Sequence, residues 1–312
     1  MDTNPIELVQ LRKEYGDFVA VDDLCLDIRR NSFTGLLGPN GAGKSTTLKI
    51  LTSLIHPTSG HAYLNGVDVT QEPKLALEGV GTVIETPEFY GYLTPRETFR
   101  YIGGIIGMSR EAVGSQTDEI LEKVKMTEWA DKKIGTFSKG MRQRIALGQA
   151  LLGDPNIIIL DEPTSGLDPR GMAEIREVLR NIRNNTSDLT IVMSSHILHE
   201  VEDLCDRVAM VNHGRLILDD DISAVTTASG VEAMVLRTES TPTEEMVSAV
   251  TGIAGVVTAE RSGNEIHVKY DLSKGGRSDL FSEVAALGIG AYSLSEGDSL
   301  ESRYLELIKE SR

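Results

Sequence analysis

The chain has 312 residues, 40% apolar and 25% charged, with a formal net charge of −16, a length that suits two modest domains. The acidic excess is shared by both halves, and phosphate neutralisation needs clustered lysine and arginine, so nucleic acid is excluded as the main partner. No apolar run approaches the roughly 18 residues of a membrane span, and "MDTNPIELVQ" has neither a basic nor an apolar leader segment, which predicts a cytoplasmic chain. Alternating apolar residues predict strands over Ile6 to Leu11 and Val19 to Ile28, the second containing Cys25. After "GLL" comes "GPNGAGKS", then a helix with Leu48, Leu51 and Leu54 at helical spacing, stopped by Pro57. "HAYLNGVDV" predicts a hairpin turning at Asn65-Gly66, and "GVGTVIE" a buried strand.

From about 87 to 155 the pattern turns helical, in "PRETFRYIGGII", "DEILEKVKM" and "MRQRIALGQALL", and reads as a helical insertion. "NIIILDEP" is the near-continuous apolar run of a strand covered on both faces, followed by a helix with Ile175, Val178, Leu179 and Ile182 on one stripe. "LTIVMSSH" and "RVAMVNHGRLIL" complete the run near Asp221, with Cys205 on the packed face of the helix between them. Both cysteines read as structural thiols, outside any metal or redox spacing. Strands alternating with helices predict an α/β core with a mainly parallel sheet, an antiparallel β subdomain and the helical insertion, over 1–222. Residues 223–312 predict a small α+β domain: strand, helix, strand, strand, helix, strand is the ferredoxin-like order, closed by a helix over "SLESRYLELIKE".

Gly38 to Ser45 fits G-x-x-x-x-G-K-[ST], the P-loop pattern, between a strand and a helix where that pattern belongs. Glycines such as Gly41 and Gly43, beside Asn40, leave backbone N–H groups free to converge on a phosphate, aided by the positive end of the helix that carries Lys44, Ser45 and Thr46. Lys44 is expected on the β- and γ-phosphates and the Ser45 hydroxyl on Mg²⁺. A P-loop alone leaves kinase, GTPase and transport ATPase open. Asp161, at the end of a buried strand, is placed to orient Mg²⁺, and Glu162 beside it to polarise an attacking water. No NKxD-like guanine reader is visible, so ATP is the expected nucleotide.

"FSKGMRQR", Phe137 to Arg144, lies between these motifs, and here the sequence resembles the nucleotide-binding subunits of ABC transporters. Ser138 and Gly140 match the serine and second glycine of the family's LSGGQ signature, while Lys139 replaces the first glycine and Met141 the glutamine. Ser138 is suited to cap the helix that follows and to present its amides to a γ-phosphate. The resemblance covers about residues 5 to 221. It implies that Tyr15 stacks on adenine, that Ser138 and Gly140 face the ATP of a second subunit, that Asp168 in "SGLD" meets that subunit, and that His196 senses the γ-phosphate. It further implies a homodimer acting on a separately encoded integral membrane permease, at the inner face of the cell membrane.

One position departs from the family pattern. Glu85 stands where the family has a glutamine; a carboxylate accepts hydrogen bonds and can help Ser45 and Asp161 hold Mg²⁺, but unlike an amide it cannot donate. Glutamate there resembles the branch that exports, or confers immunity to, peptide antibiotics. Phe89, Tyr90 and Tyr92, just beyond, fall where the family docks its membrane subunit, with packing into the core as the alternative role for these rings. The alternative is a soluble, non-transport ABC-type ATPase, whose relatives usually carry two such domains or a long coiled coil, and this chain has neither. The C-terminal domain is expected to regulate or to help dimerise, with His267 on the solvent face of its strand.

Overall fold

In the computed structural model, the first strand runs on past the point where its alternation breaks. β1 (Ile6–Tyr15) pairs with β2 (Phe18–Ile28), and its register shifts between Leu8 and Leu11, where Gln10 takes φ 48°. This bulge lets the polar residues after Leu11 stay in the ladder, which periodicity alone does not reveal. The structure describes residues 4–186, 188–227 and 231–296, together with positions 300 and 304; the expected final helix lies almost wholly outside them.

In chain order the elements continue with β3 (Phe33–Leu37), α1 (Lys44–Leu51), β4 (Ser59–Leu64), β5 (Val67–Asp68), α2 (Pro73–Ala76) and β6 (Val80–Val83). The helical insertion follows as α3 (Pro95–Ile105), α4 (Arg110–Lys123) and α5 (Lys139–Ala150). α4 starts well before "DEILEKVKM", because Ser109 caps it by accepting the Ala112 N–H at 3.1 Å. Then come β7 (Ile157–Asp161), α6 (Pro169–Asn185), β8 (Thr190–Ser195), α7 (Leu198–Leu204), β9 (Arg207–Asn212) and β10 (Arg215–Asp221). The chain folds into two compact units, Met1–Asp219 and Asp220–Arg312.

Among the described residues, the first unit has two sheets. One has the order β2-β1-β4-β5 and is antiparallel; the other has the order β10-β9-β3-β8-β7-β6, with β9, β3, β8, β7 and β6 parallel. α1 lies between the sheets. Leu48, Ile50 and Leu51 share one cluster with Leu8 and Leu64 of the first sheet and Ile157, Ile159 and Val192 of the second. α1 ends at Leu51, so the expected stripe is corrected at Leu54, which is 62% exposed. The Thr52 hydroxyl donates to Leu48 O at 2.9 Å and Ser53 takes φ 55°, which together end the helix before Pro57. Ile175, Val178, Leu179 and Ile182 of α6 are buried as their spacing predicts.

Cys205 is buried, and burial drives its thiol pKa far above the usual range. Cys25, in β2, is a free and exposed thiol whose Sγ accepts the Gln10 N–H at 3.2 Å beside the bulge. No helix among the described residues is long and apolar enough to cross a membrane.

The second unit contains α8 (Ile222–Thr227), β11 (Val231–Thr238), α9 (Glu244–Thr251), β12 (Val256–Ser262), β13 (Glu265–Asp271), α10 (Arg277–Ala286) and β14 (Ala291–Glu296). Its sheet has the order β12-β13-β11-β14, antiparallel throughout, which is the ferredoxin-like arrangement. Ile266, Val268 and Tyr270 of β13 pack with Val250 of α9 and with Leu280 and Val284 of α10. His267, between them in sequence, is exposed.

The hairpin of β4 and β5 is closed by a buried carboxylate. Asp68 Oδ1 accepts the Thr70 N–H at 2.8 Å and the Thr70 hydroxyl at 2.6 Å, and Oδ2 lies 2.9 Å from His61 Nδ1. Burial pushes the Asp68 pKa up, but the bonds from Thr70 and His61 outweigh it and hold the group below the usual carboxylate range. A folded-state pKa below the unfolded one means that the stabilisation is complete above the unfolded value and is lost as pH falls through the folded value. Asp68→Asn is expected to cost about 1–3 kcal/mol at neutral pH. In denaturant titrations the gap to wild type should close below about pH 4; a gap unchanged from pH 7 to pH 3 would contradict this.

Candidate functional site

All five residues of β3 are buried, and the strand lies between β8 and β9, so the loop after it leaves from the middle of the parallel sheet. With α1 clamped between two sheets, the loop is held at both ends. Its glycines are required by space and by dihedral angle. A Cβ at Gly38 would lie 2.2 Å from Val211 O, and one at Gly43, which takes φ 102°, would lie 2.4 Å from Ala20 O. Gly43 is also the N-cap of α1 and offers no side-chain cap, leaving the first-turn N–H groups to an anion. Asn40 and Gly41 are exposed at the loop tip, and Thr46 is half-buried in the first turn.

Lys44 is 4% exposed. Its ammonium donates to Gly38 O at 2.8 Å and Pro39 O at 3.1 Å and lies 3.9 Å from Glu162 Oε1. Burial pulls its pKa below the usual lysine value, and the nearby Glu162 and Asp161 carboxylates oppose that shift.

Parallel pairing of β7 with β8 sets Asp161 opposite Ser194. Asp161 Oδ1 accepts the hydroxyls of Ser45 at 2.9 Å and Ser194 at 2.6 Å. Ser194 Oγ in turn accepts the Glu162 N–H at 2.9 Å, and His196 Nδ1 lies 3.1 Å from Glu162 Oε1. Glu162 takes φ 43°, which turns its carboxylate away from the strand direction toward Lys44 and His196. The structure thus brings together Lys44, Ser45, Asp161, Glu162 and His196, which sequence singles out separately. Sequence reasoning missed Ser194, although it stands two residues before His196 in "MSSH" and is wholly buried.

Chemically, Ser45 and Asp161 present adjacent oxygen donors of the kind a hard divalent cation takes along with phosphate oxygens. Glu162 and His196 form an acceptor and its orienting partner. The donor set is oxygen-only and sparse: among the described residues no group of three or more His, Cys, Asp or Glu side chains forms a metal cluster by itself. This fits a cation that arrives with a triphosphate.

Glu85 lies beyond the end of β6 with φ 63° and is paired with the ammonium of Lys49 on α1, not with Ser45 or Asp161. The Lys49 ammonium holds the Glu85 carboxyl below the usual range. Tyr15, at the end of β1, is 50% exposed, with Lys13 Nζ 5.1 Å from its ring centroid.

A second cluster forms where α5 and α6 begin. Ser138 Oγ accepts the Met141 N–H at 3.2 Å, and Asp168 Oδ1 accepts the Gly171 N–H at 3.0 Å. The helix starts are close enough that a Cβ at Gly140 would sit 3.7 Å from Gly171 Cα. Lys139 spans the gap by donating to Ser165 O at 2.8 Å, and Gly166, at φ 67°, has no Cβ to obstruct it.

A P-loop joined to a strand-end Asp-Glu pair and a following histidine, with a capped helix on an inserted subdomain, defines an ATP-hydrolysing cassette. The ABC transporter family model matches residues 21–165. The bacitracin transport ATP-binding protein BcrA of Bacillus licheniformis is 40% identical over 212 residues, 68% of each chain. The linearmycin resistance ATP-binding protein LnrL of Bacillus subtilis is 31% identical over 307 residues, 97% of each chain. A solved ATP-binding subunit of an ABC transporter superposes with a TM-score of 0.65 at 28% identity, covering 73% of this chain and 94% of that one. The chain belongs to the ATP-binding subunits of ABC transporters, and its activity is ATP binding and hydrolysis. Subunits of this family dimerise and pair with membrane permeases.

Ser194→Ala removes one of two hydroxyls on Asp161 and strands the Glu162 N–H. An unsatisfied buried group costs about 1–3 kcal/mol. The variant is expected to lose roughly tenfold in kcat, read by steady-state ATPase assay; wild-type kcat would show that Ser194 does not align the two carboxylates.

Proposed function

We propose that two copies of this chain close on two ATP–Mg²⁺, each bound by the P-loop of one copy and the Ser138–Gly140 segment of the other, and drive a membrane permease that exports a drug or peptide antibiotic. The observation that carries this reading is the single network running from Ser45 through Asp161 and Ser194 to Glu162 and His196. Ser45 and Asp161 hold Mg²⁺, which when bound offsets charge on the phosphate oxygens. Lys44 and the α1 amides orient the triphosphate, with Asn40, Gly41, Gly43 and Thr46 completing the cradle. Tyr15 stacks on adenine. Glu162 accepts the proton of the attacking water, and His196 holds that carboxylate in place. Glu85 faces the metal or its water shell. Asp168 contacts the partner copy.

The exposed rings of Tyr90, Tyr92 and Tyr101 support transport over a soluble ATPase. Tyr90 lies 5.7 Å from Tyr92 and 5.8 Å from Tyr101 between centroids, a clustered aromatic surface suited to docking a permease at the membrane's inner face. The substrate class rests on the roles that BcrA and LnrL are named for, bacitracin transport and linearmycin resistance. Residues 223–312 form an accessory domain that regulates or aids dimerisation.

Glu162→Gln keeps the size of the side chain and removes its basicity. It is expected to bind ATP as the wild type does, to lose turnover by about 100-fold or more, and to accumulate an ATP-bound dimer seen by light scattering. Turnover at the wild-type rate, or monomers only, would overturn the reading.

A further inference from the structure

Glu85 places a negative charge beside a site built for a triphosphate, and the partner that answers it is Lys49. Lys49 lies four residues beyond Ser45 on α1, so the two side chains leave the same helix face one turn apart. From that face the Ser45 hydroxyl reaches Asp161 Oδ1 at 2.9 Å, and the Lys49 ammonium reaches Glu85 Oε1. One helix turn therefore anchors two carboxylates, Asp161 at the end of β7 and Glu85 beyond the end of the neighbouring β6. The ammonium interacts with both: its pKa is raised first by the bond to Glu85 and, at longer range, by Asp161 and Tyr15, against the opposing effect of burial.

The backbone at Glu85 takes φ 63°, a left-handed conformation uncommon for glutamate, and the side chain it projects ends at the Lys49 ammonium. The Lys49 and Glu85 side chains are 30% and 64% exposed, and a pair that open adds little to fold stability. What the pair controls is where the Glu85 carboxylate points.

We infer that Lys49 is the positioning residue for Glu85: its ammonium, one helix turn beyond Ser45, holds the carboxylate, and a divalent cation must compete with it for that carboxylate. This rests on the reading of Glu85 as facing the metal. An ammonium at position 49 offsets the charge that distinguishes glutamate from glutamine at 85, so the two residues function as a unit. Removing Lys49 frees Glu85 for the cation. It also leaves Glu85 uncompensated beside the triphosphate when no cation is present.

The test is a Mg²⁺ titration of the full chain with a fluorescent ATP analogue, comparing wild type, Lys49→Met, Glu85→Gln, the double variant and Lys49→Arg. Lys49→Met is expected to lower the half-saturating Mg²⁺ concentration about three- to fivefold, the range that a partly exposed ion pair supports. The same variant should weaken nucleotide binding measured in EDTA. Lys49→Arg should restore the wild-type profile, and in the Glu85→Gln background Lys49→Met should shift nothing. A shift of equal size in both backgrounds, a rise in the half-saturating concentration, or no shift at all would overturn the inference. Lys49→Gln replaces Lys49→Met if the latter melts early, with the same outcomes read the same way. The titration reads single subunits, so it can fail while Glu162→Gln still traps a dimer, and it can succeed where that dimer does not form.

Discussion

A buried ammonium, held mainly by carbonyls of its own loop, organises the nucleotide site. Lys44 is almost wholly removed from water, and its direct hydrogen bonds go to carbonyls of its own loop, with the nearest carboxylate oxygen at 3.9 Å. Burying a lysine in this way is costly unless polar groups surround it. The loop supplies them by folding back so that Gly38 O and Pro39 O converge on Nζ. Carbonyls of Val211 on β9 and Ala20 on β2 press on that loop and leave no room for a side chain at 38 and 43. The position of α1 between two apolar layers keeps the geometry fixed, since any shift of Leu48 or Leu51 would open both layers at once.

The same rigidity passes sideways through the sheet. β7 and β8 are neighbours in register, so Asp161 and Ser194 meet without any loop being asked to find a position. Ser194 then joins Asp161 to the backbone of Glu162, and His196 joins the Glu162 side chain to the end of β8. The residues proposed to handle the cation and the water are therefore two consecutive positions on one strand end, kept distinct by a single change of backbone sign at Glu162. Two adjacent carboxylates need such a device, because like charges aimed at one point repel each other.

Much of this was legible in the sequence because the motifs are local: a P-loop, a strand-end Asp-Glu pair and a helix cap are each written in a few consecutive residues. The parallel sheet followed from near-continuous apolar runs, and the C-terminal strand order from its alternation of short elements. The illegible parts depend on pairing across the fold. Ser194 is an ordinary serine until β7 sets Asp161 beside it. The continuation of β1 to Tyr15 depends on a bulge at Gln10, which breaks the pattern that marks a strand. Leu54 matched the helical period, yet the Thr52 hydroxyl and the turn at Ser53 end the helix before it. The role of Glu85 could be framed from sequence only as a contrast with glutamine, because its partner Lys49 lies on another element.

The departure at Lys139 bears on how the two halves of the chain's chemistry are joined. Lys139 belongs to the segment proposed to face a second copy, yet its ammonium is bonded to Ser165 O, and the Ser165 N–H is bonded back to Glu162 O at 3.0 Å. The start of α5 and the backbone of the residue proposed for hydrolysis are thus separated by two hydrogen bonds. A glycine at 139 would leave the start of α5 and the loop after β7 without this bond. With lysine there, the start of α5 is tied through Ser165 to the backbone of Glu162, a residue in an uncommon left-handed conformation. The segment proposed to meet a second copy and the residue proposed to act on water are therefore linked within one chain by the two bonds at Ser165.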